Sequence, residues 1–228
     1  MHGHARPRPR RRFRNADESR SRILASAASE FAAAGYRGAS LAAIAERAGM
    51  SQSGLLHHYP SKQSLLGAVI DERTAHHLDE YKAAIAEDPD LGFMTGMVRL
   101  VARAARESDL TRLFTVVIAE ATAPDHPAHG WVVNRYVGVS ENVSSALRTA
   151  RERGLLRDDF DVEEVAATFL AVMDGLQLRY LLTPGEMRID AAFAVLAGQV
   201  LQDLVADDPR AAAAVSAWRA RHAGPSSA

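Results

Sequence analysis

Apolar residues fall on helical faces along most of this chain. From Arg20 onward, Ile23, Leu24, Ala27, Ala28 and Phe31 line one side of a helix that Gly35 closes. Leu41, Ile44, Ala45 and Ala48 repeat at i, i+3, i+4 and i+7, the stripe of a short amphipathic helix that Ser40 can cap. Gly49 follows the last apolar residue, where a chain leaving a helix often turns left-handed, a conformation glycine adopts cheaply. Ser51 can cap a second short helix with Gln52, Ser53 and Gly54 in its first turn and Leu55 as its buried residue; Pro60 stops it. Ser61 then caps a fourth helix, with Lys62 in its first turn. Leu65, Leu66, Val69 and Ile70 form its apolar side, extended by Leu78, Tyr81 and Ile85.

Asp88-Pro89-Asp90 breaks that pattern. Phe93, Met94, Met97, Leu100, Val101 and Ala104 predict the next helix, and Ser108-Asp109 opens another that contains Leu113, Phe114, Val117 and Ile118. Pro124 to Pro127 reads as a loop, and Trp131 to Arg153 as a long helix ended by Gly154. Asp161 with Glu164 resembles a capping box, opening a helix through Leu182 that Pro184-Gly185 ends. The last clear helix runs from about Ile189 to Val205. No strand pattern and no internal repeat appears. The expected fold is all-α: an N-terminal three-helix helix-turn-helix head joined by a linker helix to a C-terminal helical domain. The expected divisions are an unfolded arm over residues 1–18, a head over 19–66, a body over 67–206 and a C-terminal tail over 207–228, whose alanine-rich stretch with Trp218 offers one more helix before the chain frays.

At 228 residues the chain can bury one large core or two modest ones. The absence of cysteine excludes a disulfide framework and thiolate metal sites, and fits a reducing cytoplasm. No apolar run approaches the ~20 residues of a membrane span, and the Arg-rich start lacks the apolar stretch of a secretory signal. The expectation is a soluble, cytoplasmic protein without a membrane partner. A net charge of −1 hides an uneven distribution: eleven Lys or Arg against four Asp or Glu lie up to Lys62, leaving sixteen basic and twenty-four acidic residues beyond it. A basic head on an acidic body suits a protein whose head alone meets a polyanion.

Two short helices with a glycine turn form a helix-turn-helix, whose second helix enters the DNA major groove. That layout also occurs in all-α proteins that never meet DNA, and the pattern alone leaves the choice open. Residues 22–66 carry more. Ile23-Leu24-Ala25-Ser26-Ala27-Ala28, Phe31-Ala32-Ala33-Ala34-Gly35-Tyr36, Ser40-Leu41-Ala42-Ala43-Ile44-Ala45, Ala48-Gly49-Met50-Ser51 and Gly54-Leu55-Leu56-His57-His58-Tyr59-Pro60-Ser61-Lys62 stand in the right order. The run resembles the N-terminal domain of the TetR family of transcriptional regulators, of an actinobacterial type given the excess of arginine over lysine. The resemblance implies that Gln52 and Ser53 read base edges, glutamine being able to pair with adenine N6 and N7. It implies that Gly54 permits close approach at the helix that Ser51 starts, that His57 reaches a base or phosphate, and that Ser40, His58, Tyr59 and Lys62 hold phosphates. Gly54 and Leu56 bring no polar side chain, so direct readout is thin. The arginines of the N-terminal arm fit a minor-groove arm, a non-specific phosphate binder or an extension without a role; the second is favoured.

The resemblance further implies a homodimer built on the last two long helices and a palindromic operator with half-sites ~34 Å apart or a multiple of that. It implies a pocket for an unidentified small-molecule effector. Apolar candidates are Phe93, Met97, Phe114, Ile118, Trp131, Tyr136, Phe169 and Met173; polar ones are Arg103, Asn134, Arg135, Asp174 and Gln177. His76-His77 and His126 with His129 lack metal-site spacing, so neither metal nor cofactor is expected. No nucleophile elbow, phosphate-binding loop or dinucleotide glycine pattern points to an enzyme. The preferred reading is a repressor released from its operator by an effector. The alternatives are an all-α carrier or enzyme with a structural helix-turn-helix, and a constitutive non-specific DNA binder.

Overall fold

The computed structural model describes residues 9–222, with side chains from Glu18 onward. Ten helices follow one another among them: α1 (Pro9–Gly38), α2 (Leu41–Arg47), α3 (Gln52–His58), α4 (Lys62–Glu87), α5 (Gly92–Arg106), α6 (Ser108–Glu120), α7 (His129–Glu152), α8 (Val162–Leu182), α9 (Ile189–Leu204) and α10 (Pro209–His222). The chain divides into two units within α4, after Glu72.

In the first unit the predicted stripes meet. Ile23, Ala27 and Phe31 of α1 are buried with Ile44 and Ala45 of α2, Leu55 of α3, and Leu65, Leu66, Val69 and Ile70 of α4. Removing those side chains from water, worth ~1.5–3 kcal/mol for each large one, holds the two short helices α2 and α3, which are individually marginal. Gly35 interrupts α1 as expected, with a non-helical φ of 68 and ψ of 178, and residues 36–38 follow beyond the kink. The unfolded arm expected over residues 1–18 is revised. Residues 1–8 lie outside the described residues, while α1 begins at Pro9, a residue that suits the first position of a helix because its missing N–H has no intrahelical partner there.

The second unit is a helical bundle. Met94, Met97, Val101, Leu147, Phe169, Phe193 and Leu201 are buried in one core, with Phe169 and Phe193 ring to ring at 5.9 Å. Asp161 caps α8 as expected, accepting from Glu164 N at 2.9 Å. Within the expected tail, the alanine-rich stretch and Trp218 form a helix. Asp208 accepts from Arg210 N and Ala211 N at 2.8 and 3.0 Å, Pro209 fills the first helical position, and α10 buries Ala211, Val215 and Trp218. Trp218 is fully buried and its indole donates to Thr95 Oγ1 at 3.0 Å. Its spacing from Ala211 and Val215, i, i+4 and i+7, is that of a packed helix. Among the described residues α8 is long and apolar enough to cross a membrane by length and composition alone, with a mean hydropathy of 1.3 in its most apolar window. Within this fold it supplies Ala166, Phe169 and Met173 to the core.

Candidate nucleic-acid interface

The turn between α2 and α3 is held by backbone geometry. Ser40 Oγ accepts from Ala43 N at 3.4 Å and caps α2, while Ser40 N donates to Glu30 Oε1 at 3.2 Å. Gly49 has φ 72, a left-handed value that strains any residue with a Cβ. Ser51 Oγ accepts from Gly54 N at 3.1 Å and sits 3.0 Å from Ser53 Oγ. Leu55 is fully buried and fixes the rotation of α3. Gln52, Ser53, His57 and His58 are left exposed on α3, with the two imidazoles edge to face at 6.1 Å. Gly54 and Tyr59 are half-buried. Burial raises the Tyr59 phenol, opposed by Arg20, so it meets a ligand as a neutral hydroxyl.

Lys62 is engaged inside the head. Its ammonium donates to Arg37 O at 3.1 Å and Ala39 O at 3.0 Å and lies 5.1 Å from the Tyr36 ring centre. These are the orphan carbonyls at the end of α1, where a cation is favourable. Of its three N–H groups, one is left over. Lys62→Met is therefore expected to lower the head's stability by ~1–2 kcal/mol without DNA present. Urea unfolding of the two proteins measures it, and coincident curves would remove the carbonyl contacts from the account.

The expected pocket residues are only partly assembled. Phe93, Met97 and Phe169 are buried packing groups, and Met173 lies close to them in the same core. Asn134 is exposed, and Ile118 and Gln177 are half-buried. Arg103 is held by Glu80 at 3.2 Å and Glu107 at 2.8 Å. A second group does converge. Phe114 meets Trp131 edge to face at 6.3 Å, with Arg73 and Arg135 over its ring at 4.1 and 5.3 Å. Tyr136 Oη donates to Asp174 Oδ2 at 2.5 Å. Arg73 donates to Leu110 O at 2.7 Å and to His77 Nε2 at 3.3 Å.

Burial, followed by the adjacent arginine charges, pulls the His77 imidazole down to about 3; burial pulls Arg73 to about 9. Arg73 and His77 were missed as site residues. The signal was there: Leu66, Ile70, Arg73 and His77 continue one helical face at spacings of four, three and four.

Residues 23–69 match the family profile of bacterial regulatory proteins of the tetR family, and residues 95–205 match the C-terminal profile of BetI-type transcriptional repressors. The chain belongs to the TetR family. Its function is that of a DNA-binding transcriptional regulator of the repressor type. Two TetR-type relatives carry such names. The HTH-type transcriptional repressor AcnR of Corynebacterium jeikeium is 28% identical over 159 residues, covering 70% of this chain and 79% of the relative. The HTH-type transcriptional regulator TtgR of Pseudomonas putida is 29% identical over 189 residues, covering 77% and 86%. A transcriptional regulator from Saccharomonospora viridis, crystallised with choline, has the same fold at a TM-score of 0.67 and 22% identity, covering 84% of this chain and all of that one.

Proposed function

We propose that this TetR-family chain acts in the cytoplasm as a homodimer on a palindromic operator, and that a small effector bound in the second unit releases it. The observation that carries the DNA-reading role is the exposed edge of α3. With Leu55 buried and Ser51 capping, Gln52, Ser53 and His57 are the polar groups offered to base edges. In this reading Gly54 allows close approach, and Ser40, His58, Tyr59 and the remaining Lys62 donor take phosphates. Two-fold pairing is supported by α8 and α9. Only 17% of the most apolar window of α8 is buried, and Leu178, Leu182 and Val195 are 47%, 72% and 57% exposed. An apolar face of that kind suits an isologous interface. Effector response is supported by α4, which carries Arg73 and His77 of the converging group as well as residues of the head core. A like fold that holds choline supports a small-molecule site of this general kind.

Gln52→Ala tests the reading. It should cost ~1–3 kcal/mol at one base pair in each half-site and little elsewhere. Binding measured against a set of single-base operator variants distinguishes the outcomes. An equal loss across all sequences would show that Gln52 holds the protein on DNA without specifying.

A further inference from the structure

The converging group in the second unit contains a buried donor without a hydrogen-bond partner. Arg135 Nε is buried and has no hydrogen-bond partner; the guanidinium lies against the Phe114 face at 5.3 Å. Asp174 is the acid that faces it, and Asp174 already accepts the Tyr136 hydroxyl. Arg73 makes its own hydrogen bonds to Leu110 and His77 and adds a second positive charge on the same ring. Glu80 and Glu107 are both hydrogen-bonded to Arg103. Burial raises the Asp174 carboxyl, opposed by the Tyr136 hydroxyl, Arg135 and Arg73.

An arginine cannot escape by losing its proton at neutral pH, so a buried guanidinium with a free donor is destabilising until an acceptor arrives. Nε–H with one Nη–H is half of the planar fork that matches a carboxylate in bidentate fashion. Trp131, Arg135, Tyr136, Asp174 and Gln177 are half-buried, so the group is not sealed within the core.

We propose that Arg135, backed by Arg73 across Phe114, receives the carboxylate of an effector whose apolar body lies along Phe114 and Trp131. This rests on the effector-responsive reading above and names the ligand class. The same field repels cationic amphiphiles, and a neutral amide cannot compensate the charge. Entry of the carboxylate accompanies a shift of the half-buried side chains around Nε.

The test uses the full chain in thermal unfolding with 3-phenylpropionate and octanoate, each against its amide, and octyltrimethylammonium as the cation. The acids should raise the midpoint; the amides and the cation should not. Arg135→Met should raise the ligand-free midpoint by about 2–4 °C, because it removes a buried donor that has no acceptor, and should abolish the effect of the acids. Amides that stabilise as well as acids, acids without effect on the unsubstituted chain, or a lower ligand-free midpoint for Arg135→Met each overturn the proposal. Operator binding is followed in parallel by mobility shift. It should persist in Arg135→Met, so failure of the carboxylate site is separable from failure of the DNA-binding reading.

Discussion

Gly92→Ala is expected to lower the thermal midpoint of the chain by roughly 6–12 °C, from a loss of ~3 kcal/mol. Gly92 opens α5 where its backbone lies against the last turns of α4. A Cβ there would fall 2.1 Å from Ala84 O, 2.7 Å from Ala84 C and 2.9 Å from Ile85 Cα. All three are backbone atoms of a helix, so no side chain can turn aside to make room. Moving α5 away would loosen Phe93, Met94 and Met97, which are buried in the second unit's core. Gly138→Ala on α7 is the control, since a Cβ there meets nothing within 4 Å. It should leave the midpoint unchanged or raise it slightly, alanine being the better helix former by up to ~1 kcal/mol. Calorimetry of the two variants decides the matter, and equal midpoints would show that the close approach of α4 and α5 is not a constraint.

Acid should unfold this protein in a way that His77 dominates. The imidazole sits at about 3 in the folded chain against 6.5 when free. Its burial comes first among the causes, followed by Arg73, Arg135, Arg103 and His76. Because the folded value is depressed, the unfolded chain binds the proton more readily. The stability contributed by neutral His77 is therefore present above pH 6.5 and lost progressively as pH falls toward 3. Between pH 7 and 5 the loss should be ~2 kcal/mol. His77→Gln keeps an acceptor for Arg73 Nε and cannot titrate, so its stability should fall by that much less over the same interval. Denaturant titrations at a series of pH values measure the difference. Parallel curves for the two proteins would remove His77 from the acid response.

The head was legible in the sequence nearly residue by residue, because its signals are local. Ser40, Gly49 and Ser51 act through hydrogen bonds and dihedrals within a few positions of themselves, and each sits where its chemistry requires. Long-range contacts were not legible. Lys62 reads in sequence only as a phosphate ligand, and its two bonds to Arg37 O and Ala39 O come from residues more than twenty positions away. The same limit applies to α10: its alanine-rich stretch with Trp218 suggests a helix, but Trp218 becomes a core residue only through Thr95, more than a hundred positions away. Arg73 and His77 are polar residues on an apolar stripe, and periodicity alone marks such positions as interruptions. Their meaning depends on Arg135, Phe114 and Leu110, which come from other helices.

The account rests on α3 reading a two-fold operator, and footprinting of the full chain on the DNA flanking its own gene tests that most directly. It should protect an inverted repeat whose half-sites are centred ~34 Å or a multiple of that apart, and Gln52→Ala should weaken that protection. Protection without two-fold symmetry, or no protected site at all, would contradict it.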